Sequence, residues 1–290
     1  MEFQNLKNDF LSLSVAFHGA EIKSLKKIET GYEYMWQADS KYWGRTSPVL
    51  FPIVGNYKEK TSIYNGKSYQ LSQHGFARDM DFVLESSTEN SLTFLLKDSL
   101  ETLEKYPFHF ELRIKYILNE RSLVVNWEVK NTNSETMYFS IGGHPAFNCN
   151  LPKSYLKIKD VENLVCGVLN SKGELSSKII NLPLEQEKLP LDYSLFDEDA
   201  LIAEDNQSHE IILGTDDETN KGTDLLKVSF DAPVFGIWSP AGKNAPFVCI
   251  EPWYGRTDRE DFNQKLEERQ WGNKLEPNQS FNAEYTIEVL

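Results

Sequence analysis

The sequence predicts an all-β protein, built as a single large antiparallel β-sandwich with a few short helices. Many short segments alternate apolar and polar residues with a period of two, and turn residues separate them. Helical patterns do not alternate regularly with these segments, so a parallel sheet is not expected. No proline- or serine-rich linker divides the chain. We therefore expect one domain over residues 1–290.

The charge balance argues against two classes of partner. The chain has 44 acidic and 30 basic residues, a formal charge of −14. Such a surface repels nucleic acid and anionic lipid, so we expect neither as a partner. No segment approaches the roughly 20 apolar residues of a membrane span, and the N-terminus lacks the pattern of a secretion signal. A cytoplasmic protein is expected, with its oligomeric state left open.

The first third of the chain reads as strands and loops. Residues 11–17 alternate as a half-buried strand, and the aromatic stretch 32–36 predicts another. Two prolines and two glycines in segment 43–58 favour a loop followed by a short buried run. The Asn65-Gly66 pair predicts a tight hairpin turn.

Two segments are compatible with helix. Residues 98–106 have capping-box spacing at Asp98 and Glu101, and Pro107 would stop the helix. Segment 258–270 is polar and highly charged, so any helix there would lie on the surface.

The central and C-terminal regions give the strongest evidence for sheet. Residues 110–118 and 123–129 alternate strictly, and with 137–141 they predict a three-stranded meander. The final stretch, 281–289, alternates as regularly and should be tied into a sheet. The charged loop 215–224 predicts a hairpin between two strands. Further strands are expected over 155–158, 164–169, 179–182, 209–213, 225–230, 235–238 and 247–251.

A histidine in the segment SIGGHPAFN, residues 140–148, is the first candidate for chemistry. The apolar strand is expected to break at Gly142 and Gly143, leaving His144 at its end with Pro145 fixing the chain beyond. An imidazole with an ordinary pKa near 6.5 can give and take a proton around neutrality. The alternative is a structural histidine that bonds to the backbone.

A glutamate near the C-terminus is the second candidate. Glu251 ends the apolar run 247–250 and precedes the segment 252–254, which carries two aromatic rings. Desolvation there would raise the pKa of the carboxyl group and suit it to act as a base. Aromatic rings also suit the apolar faces of sugars. The alternative is an ion pair with Arg256 or Arg259.

The cysteines predict neither disulfides nor a zinc site. Cys149, Cys166 and Cys249 are odd in number and lack CxxC spacing. Cys149 lies close to His144 in sequence, which suggests a thiol nucleophile. A small buried residue is the better interpretation of sequence proximity alone.

Three motifs, in this order, resemble the aldose 1-epimerase (galactose mutarotase-like) family: QHGFAR from residue 73, GGHPAFN from 142 and CIEPWYG from 249. The resemblance implies a β-supersandwich and interconversion of the α and β anomers of an aldose, without metal or cofactor. It further implies that His144 protonates the ring oxygen, that Glu251 takes the proton from the C1 hydroxyl, and that His74 hydrogen-bonds near the ring oxygen. The expected partner is a small-molecule sugar or sugar phosphate.

Some positions depart from the galactose-type pattern. That branch carries an arginine shortly after the glycine that here is Gly55, whereas this chain has Lys58 in that region. HGFAR and an arginine before SPVLFP instead resemble the hexose-6-phosphate epimerase branch, which implies that Arg45 and Arg78 hold a phosphate. Both could equally form surface ion pairs. Asp197 is the candidate for the family's substrate-binding aspartate.

Two other classes of function compete with an epimerase. A sugar-binding protein could keep the cleft and lack turnover, although both proton-transfer candidates are present. A glycoside hydrolase needs two carboxylates that flank one bond, and only Glu251 has a convincing setting in the sequence.

Overall fold

Strands dominate the chain, as predicted. The computed structural model describes residues 2–216 and 222–290. One α-helix, α1 (Leu100–Lys105), accompanies short 3-10 turns. The strands are β1 (Phe3–Lys7), β2 (Leu11–Ala16), β3 (Ile22–Lys27), β4 (Val49–Leu50), β5 (Thr61–Tyr64), β6 (Lys67–Gln70), β7 (Val83–Ser87), β8 (Ser91–Lys97), β9 (Phe110–Asn119), β10 (Ser122–Asn131), β11 (Met137–Phe139), β12 (Ile141–Gly143), β13 (Ala146–Asn148), β14 (Ser154–Ile158), β15 (Asn163–Leu169), β16 (Leu175–Pro183), β17 (Lys188–Pro190), β18 (Leu201–Ala203), β19 (Glu210–Thr215), β20 (Thr223–Phe230), β21 (Val234–Trp238), β22 (Phe247–Tyr254), β23 (Asn273–Leu275) and β24 (Ser280–Val289).

Two large antiparallel sheets form the body of the protein. One has nine strands in the order β17-β14-β19-β20-β24-β10-β9-β8-β7. The other has eight, in the order β16-β15-β18-β21-β22-β12-β4, with β13 also paired to β22. The sheets meet where a Cβ on Gly143 of β12 would lie 3.2 Å from the Tyr285 ring of β24 and 3.3 Å from Trp127 of β10. This sandwich is the predicted fold class.

The predicted meander is correct for two strands and wrong for the third. Strands β9 and β10 pair with Leu118 opposite Leu123, around the expected turn. The other neighbour of β10 is the C-terminal strand β24, along nine paired positions, whereas β11 pairs with β23. Continuous alternation over ten residues gives β24 a long ladder with β10, and β11 offers only three residues.

Helix α1 forms where the sequence predicts it, but with a different cap. Ser99 is the N-cap, and its hydroxyl accepts from the Thr102 backbone N–H while Thr102 reaches back to the Ser99 N–H. Asp98 instead accepts from the backbone N–H of Phe110 and bonds to His109. The capping box is therefore one residue further along than the expected Asp98 and Glu101 pair.

Two other predicted elements are wrong. The stretch 32–36 makes only isolated bridges, such as Met35 with Phe147. Segment 258–270 contains a single 3-10 turn, Leu266–Glu268, rather than a surface helix. Its ends are held by a buried ion pair, 2.7 Å from Arg269 Nε to Asp258 Oδ1, which fixes an irregular path.

The hairpin predicted around residues 215–224 is described except for its tip. Strands β19 and β20 pair antiparallel as a hairpin, with Thr215 opposite Thr223. The tip of the predicted loop, residues 217–221, lies outside the described residues. Within the described ranges, no helix has the length and apolar character needed to cross a membrane.

Candidate active site

The three sequence motifs converge on one cavity of about 160 Å³. His74 comes from the loop after β6, His144 from the connection between β12 and β13, and Glu251 from β22. The lining residues are Trp43, Gly55, Gln73, His74, Arg78, His144, Leu169, Gly173, Asp199, Ala200, Ile202, Trp238, Glu251, Trp253 and Thr257. A polar centre inside aromatic and aliphatic walls is the usual form of a small-molecule site.

His144 directly follows strand β12. The sequence predicted that Gly142 and Gly143 would break this strand, but both glycines belong to it. Gly142 and Gly143 belong to β12, where Gly142 pairs with Trp253 on one side and Leu50 on the other. A Cβ at Gly142 would lie 2.6 Å from Cδ1 of the Trp253 ring, so only glycine lets the two strands approach this closely. The glycines therefore set the depth at which His144 lies.

Aromatic rings hold the His144 imidazole in place. Trp43 stacks on it with ring centroids 4.7 Å apart, and Trp238 meets it edge-on at 5.3 Å. Its backbone N–H donates to the Pro48 carbonyl, while its Nδ1 has no hydrogen-bond partner among the described residues. Burial, and then the nearby Arg78 guanidinium, lower the pKa of His144 from 6.5 to about 3. The imidazole is therefore neutral at physiological pH.

This buried, neutral imidazole should make folding sensitive to acid. Between pH 6.5 and about 3 the unfolded chain binds a proton at His144 that the folded chain does not. The free energy of unfolding then falls with decreasing pH, by about 1.4 kcal/mol per pH unit from this group. We expect His144→Asn to lose stability less steeply over this range in urea unfolding. Equal slopes for the two proteins would show that the histidine titrates normally when folded.

Glu251 lies within a strand rather than at a strand end. Strand β22 continues through Pro252 to Tyr254, and Glu251 pairs with Gly236 of β21. The side chain is 1% exposed. Neither arginine considered in the alternative interpretation pairs with it, since Arg256 binds Glu204 and Arg259 binds Asp261.

The surroundings of Glu251 favour its protonated form. Burial, and then the charge of Asp199, raise the pKa of its carboxyl group well above the usual value. The Trp253 indole acts in the opposite direction and more weakly. Within the described ranges, the indole N–H and the carboxylate Oε2 have no hydrogen-bond partner with good geometry. An unpartnered buried carboxylate is costly, so the proton is retained.

The two candidates for proton transfer face each other. His144 Nε2 lies 3.3 Å from Glu251 Oε2, and both groups line the cavity. A neutral imidazole beside a protonated carboxyl group gives one acid and one base with no net charge. This arrangement can accept a proton from one substrate oxygen and deliver one to another.

His74 is fixed as a neutral hydrogen-bond donor. Its Nδ1 accepts the backbone N–H of Gly55 at 3.1 Å, which places the ring proton on Nε2. Burial and the adjacent His144 lower the pKa of His74 well below its ordinary value. The two imidazoles lie 5.6 Å apart between centroids, nearly perpendicular. His74 therefore suits the donor role that the family resemblance implies for it.

The two candidate arginines occupy different settings. Arg78 lines the cavity, and its Nη2 donates to the Gln73 carbonyl at 2.6 Å. Burial, and then the neighbouring Arg45, lower the pKa of Arg78 to about 10. Arg45 is absent from the lining and donates to Asp79 Oδ1 at 2.7 Å. Arg45 thus matches the ion-pair alternative, and Arg78 alone faces the cavity.

The aspartate that lines the cavity is Asp199, two residues after Asp197, which the sequence predicted as the substrate-binding aspartate. Asp197 caps the 3-10 turn Tyr193–Phe196 and lines an adjoining groove. Asp199, with a left-handed backbone at φ 71°, lines the central cavity. The left-handed turn that presents Asp199 has no clear sequence signal, because the segment DEDA offers several acidic residues.

Several cavity residues were missed by the sequence analysis. Trp43 begins segment 43–58, which was predicted as a loop and a short buried run without a role for the tryptophan, and Trp238 ends strand β21, which was predicted. Gln73 lies inside the first motif, next to His74, whereas Trp253 is one of the two aromatic rings already predicted beside Glu251. Thr257 joins the cavity because its hydroxyl donates to the Gly173 carbonyl at 2.7 Å.

Comparison with known proteins identifies relatives in both sequence and fold. The family model described as aldose 1-epimerase matches residues 2–288. Protein LacX from Lactococcus lactis subsp. lactis is 35% identical over 98% of both chains. A galactose mutarotase related enzyme from Lactobacillus acidophilus is 39% identical, with TM-score 0.92 over 100% of this chain and 97% of that one. A galactose mutarotase-like protein from Lactobacillus casei ATCC 334 is 27% identical, with TM-score 0.91 over 100% of both chains.

The sequence match, the sandwich and the converging motifs thus confirm the resemblance seen in the sequence. The chain belongs to the aldose 1-epimerase family, a family of isomerases.

Proposed function

We propose that the protein interconverts the α and β anomers of a hexose through acid and base catalysis by His144 and Glu251. The observation that carries this proposal is the 3.3 Å separation between His144 Nε2 and Glu251 Oε2 at the wall of a buried cavity. Burial favours the neutral form of each group, so that the pair holds one proton. Ring opening of a cyclic sugar needs one proton donor and one acceptor.

The single proton held by the His144 and Glu251 pair is sufficient for both ring opening and ring closure. In the form that acts on the cyclic sugar, the proton is on His144, which protonates the ring oxygen, while the Glu251 carboxylate takes the C1 hydroxyl proton. The C1–ring oxygen bond breaks, and C1 becomes an aldehyde carbon. The proton of the pair then rests on Glu251, the form that burial favours in the empty site.

Rotation about the C1–C2 bond turns the other face of the aldehyde toward the sugar hydroxyl. The hydroxyl oxygen attacks C1 and loses its proton to neutral His144, while Glu251 protonates the carbonyl oxygen. The pair returns to its starting form, and no proton is exchanged with solvent. The Nε2–H of His74 would donate to an oxygen close to this centre, and Trp43 and Trp238 would exclude water and face the sugar ring.

Exchange spectroscopy by NMR tests the proposal directly. Purified protein is added to glucose and galactose, and the exchange between anomeric proton signals is measured against the spontaneous rate. Faster exchange of either sugar supports the epimerase. Line broadening of the sugar signals without faster exchange would favour the non-catalytic sugar-binding protein.

A phosphorylated hexose is the second candidate substrate, and Arg78 favours it. The Arg78 side chain lines the cavity, its Nε has no hydrogen-bond partner among the described atoms, and its pKa is depressed to about 10. Its counter-charge is Asp79, whose Oδ2 lies 3.8 Å from the Arg78 Nε and which Arg45 already binds more closely. A buried cation with too little counter-charge is stabilised by an anionic ligand. Arg45 lies directly behind Arg78 but is already paired to Asp79, so a phosphate would rely mainly on one arginine.

Substituting Arg78 distinguishes the two substrate classes. If the substrate is a hexose 6-phosphate, Arg78→Gln should lower kcat/KM for it by roughly 10- to 100-fold, the loss of one charge-assisted hydrogen bond. Exchange of the unphosphorylated sugar should change by a smaller factor, because that sugar is affected only through the influence of Arg78 on the pKa of His144. Arg259→Gln, which alters an arginine outside the cavity, is the matched control. Equal losses of kcat/KM for the two sugars would show that Arg78 does not distinguish the phosphorylated from the unphosphorylated hexose.

A further inference from the structure

We propose that His144, Cys249 and Glu251 form a binding site for a thiophilic divalent cation such as Zn²⁺ or Cd²⁺, and that the bound cation inhibits the enzyme. The inhibition rests on the proposed function; the binding does not. Catalysis as derived above needs no metal, so the site would be inhibitory. Sequence proximity suggested Cys149 as a thiol near His144, whereas the structure places Cys249 there.

The strand geometry explains why these three side chains meet. Cys249 and Glu251 are two residues apart on β22, so both point to the same face of the sheet. Ala146 pairs with Cys249 across the adjacent β13, which brings the preceding His144 to that face. A sulfur, an imidazole nitrogen and a carboxylate oxygen consequently lie within 4.8 Å of one another.

The spacing is close to that of a tetrahedral site. Two ligands at Zn–N and Zn–O bond lengths lie roughly 3.4 Å apart, and His144 Nε2 is already 3.3 Å from Glu251 Oε2. The Cys249 sulfur has to approach by a rotation of its side chain. Thiolate and imidazole ligands select zinc-like cations over magnesium or calcium.

The charge balance favours the cation despite burial. Cys249, Glu251 and His144 are 0%, 1% and 7% exposed, respectively. A divalent cation with one thiolate, one carboxylate and one neutral imidazole has no net charge, which limits the cost of removing it from water. Binding would also satisfy Glu251 Oε2, which has no hydrogen-bond partner in the described ranges. Two nearby cations oppose binding, Arg78 and, more weakly, Arg45.

The site can be entered and has an open position. His144 and Glu251 line the cavity, whereas Cys249 is fully buried and does not line it. A cation arriving through the cavity would meet these two ligands first and keep a water on the cavity side, as open zinc sites do. The metal would occupy the imidazole lone pair and the carboxylate oxygen that the epimerase reaction uses. Anomer exchange would therefore stop while the cation is bound.

Metal titration tests the binding without reference to activity. EDTA-treated protein is titrated with Cd²⁺, and thiolate-to-cadmium absorption and calorimetric stoichiometry are recorded. We expect one equivalent to bind with a thiolate band in the wild type, and in Cys166→Ala, which removes a buried thiol outside the cluster. In Cys249→Ala and Cys249→Ser the band should vanish and the affinity should fall roughly tenfold or more. No thiolate band in the wild type, or an unchanged band in the Cys249 variants, would overturn the proposal.

Inhibition provides the second readout. Zn²⁺ should suppress anomer exchange by the wild type and by Cys166→Ala, and EDTA should restore it. Inhibition of Cys249→Ala should need a Zn²⁺ concentration higher by roughly tenfold or more. Unchanged exchange with the cation bound would overturn the inhibitory role. Cadmium binding at Cys249 by a protein that shows no exchange without metal would leave the cation site standing and reject the epimerase function.

Discussion

Glu251→Gln is expected to slow anomer exchange by about 10²- to 10⁴-fold, the range for losing one positioned acid–base group. The amide has nearly the shape of the carboxyl group but cannot transfer a proton, and among the described residues Glu251 is the carboxylate that forms a pair with His144, at 3.3 Å. Sugar binding should persist, because the cavity walls are unchanged. The measurement is exchange spectroscopy at saturating sugar, with calorimetry to check binding.

Glu198→Gln is the matched control for this substitution. Glu198 is a half-exposed carboxylate that pairs with Lys178 and lies outside the central cavity, so this variant should exchange anomers at the wild-type rate. A Glu251→Gln protein that keeps the wild-type rate would remove Glu251 from the mechanism.

His144→Asn should reduce the exchange rate by a similar factor, about 10²- to 10⁴-fold. Asparagine can hydrogen-bond to substrate but cannot alternate as acid and base. The lost ring would also remove a packing contact from both Trp43 and Trp238, so some loss of stability is expected. Kinetics should therefore be measured well below the unfolding temperature of the variant.

The control for His144→Asn is His109→Asn. His109 is exposed, bonds to Asp98 and does not line the cavity. The His109→Asn variant should therefore exchange anomers at the wild-type rate. If folded His144→Asn retains more than about a tenth of wild-type activity, proton transfer by the imidazole is not required.

Alternation predicted the long strands because each has one buried face over many residues. Strands β9, β10 and β24 follow this pattern closely. Which strands become neighbours was less predictable, since β24 joins β10 from the far end of the chain. Short segments such as 32–36 were overpredicted because aromatic content alone does not provide a pairing partner.

The position of the site was predictable from motifs, but its electrostatics were not. The sequence placed His144 and Glu251 at strand ends; His144 does follow the end of β12, whereas Glu251 lies within β22, and both side chains are buried. Depth lowers the pKa of the imidazole and raises that of the carboxyl group, so the empty site is expected to hold its proton on Glu251. Asp199 and Cys249 escaped notice because their roles depend on a left-handed turn and on cross-strand register.

The central claim is that His144 and Glu251 act as one unit in anomer exchange. The most direct test is the exchange rate of glucose, galactose and their 6-phosphates with wild type, both single variants and the double variant His144→Asn/Glu251→Gln. We predict acceleration of at least one sugar by the wild type, and a double variant no slower than the slower single variant, because removing either group already disables the unit. The claim would be contradicted if the wild type exchanged every sugar only at its spontaneous rate. It would also be contradicted if the fold-loss of exchange rate in the double variant were the product of the losses in the two single variants.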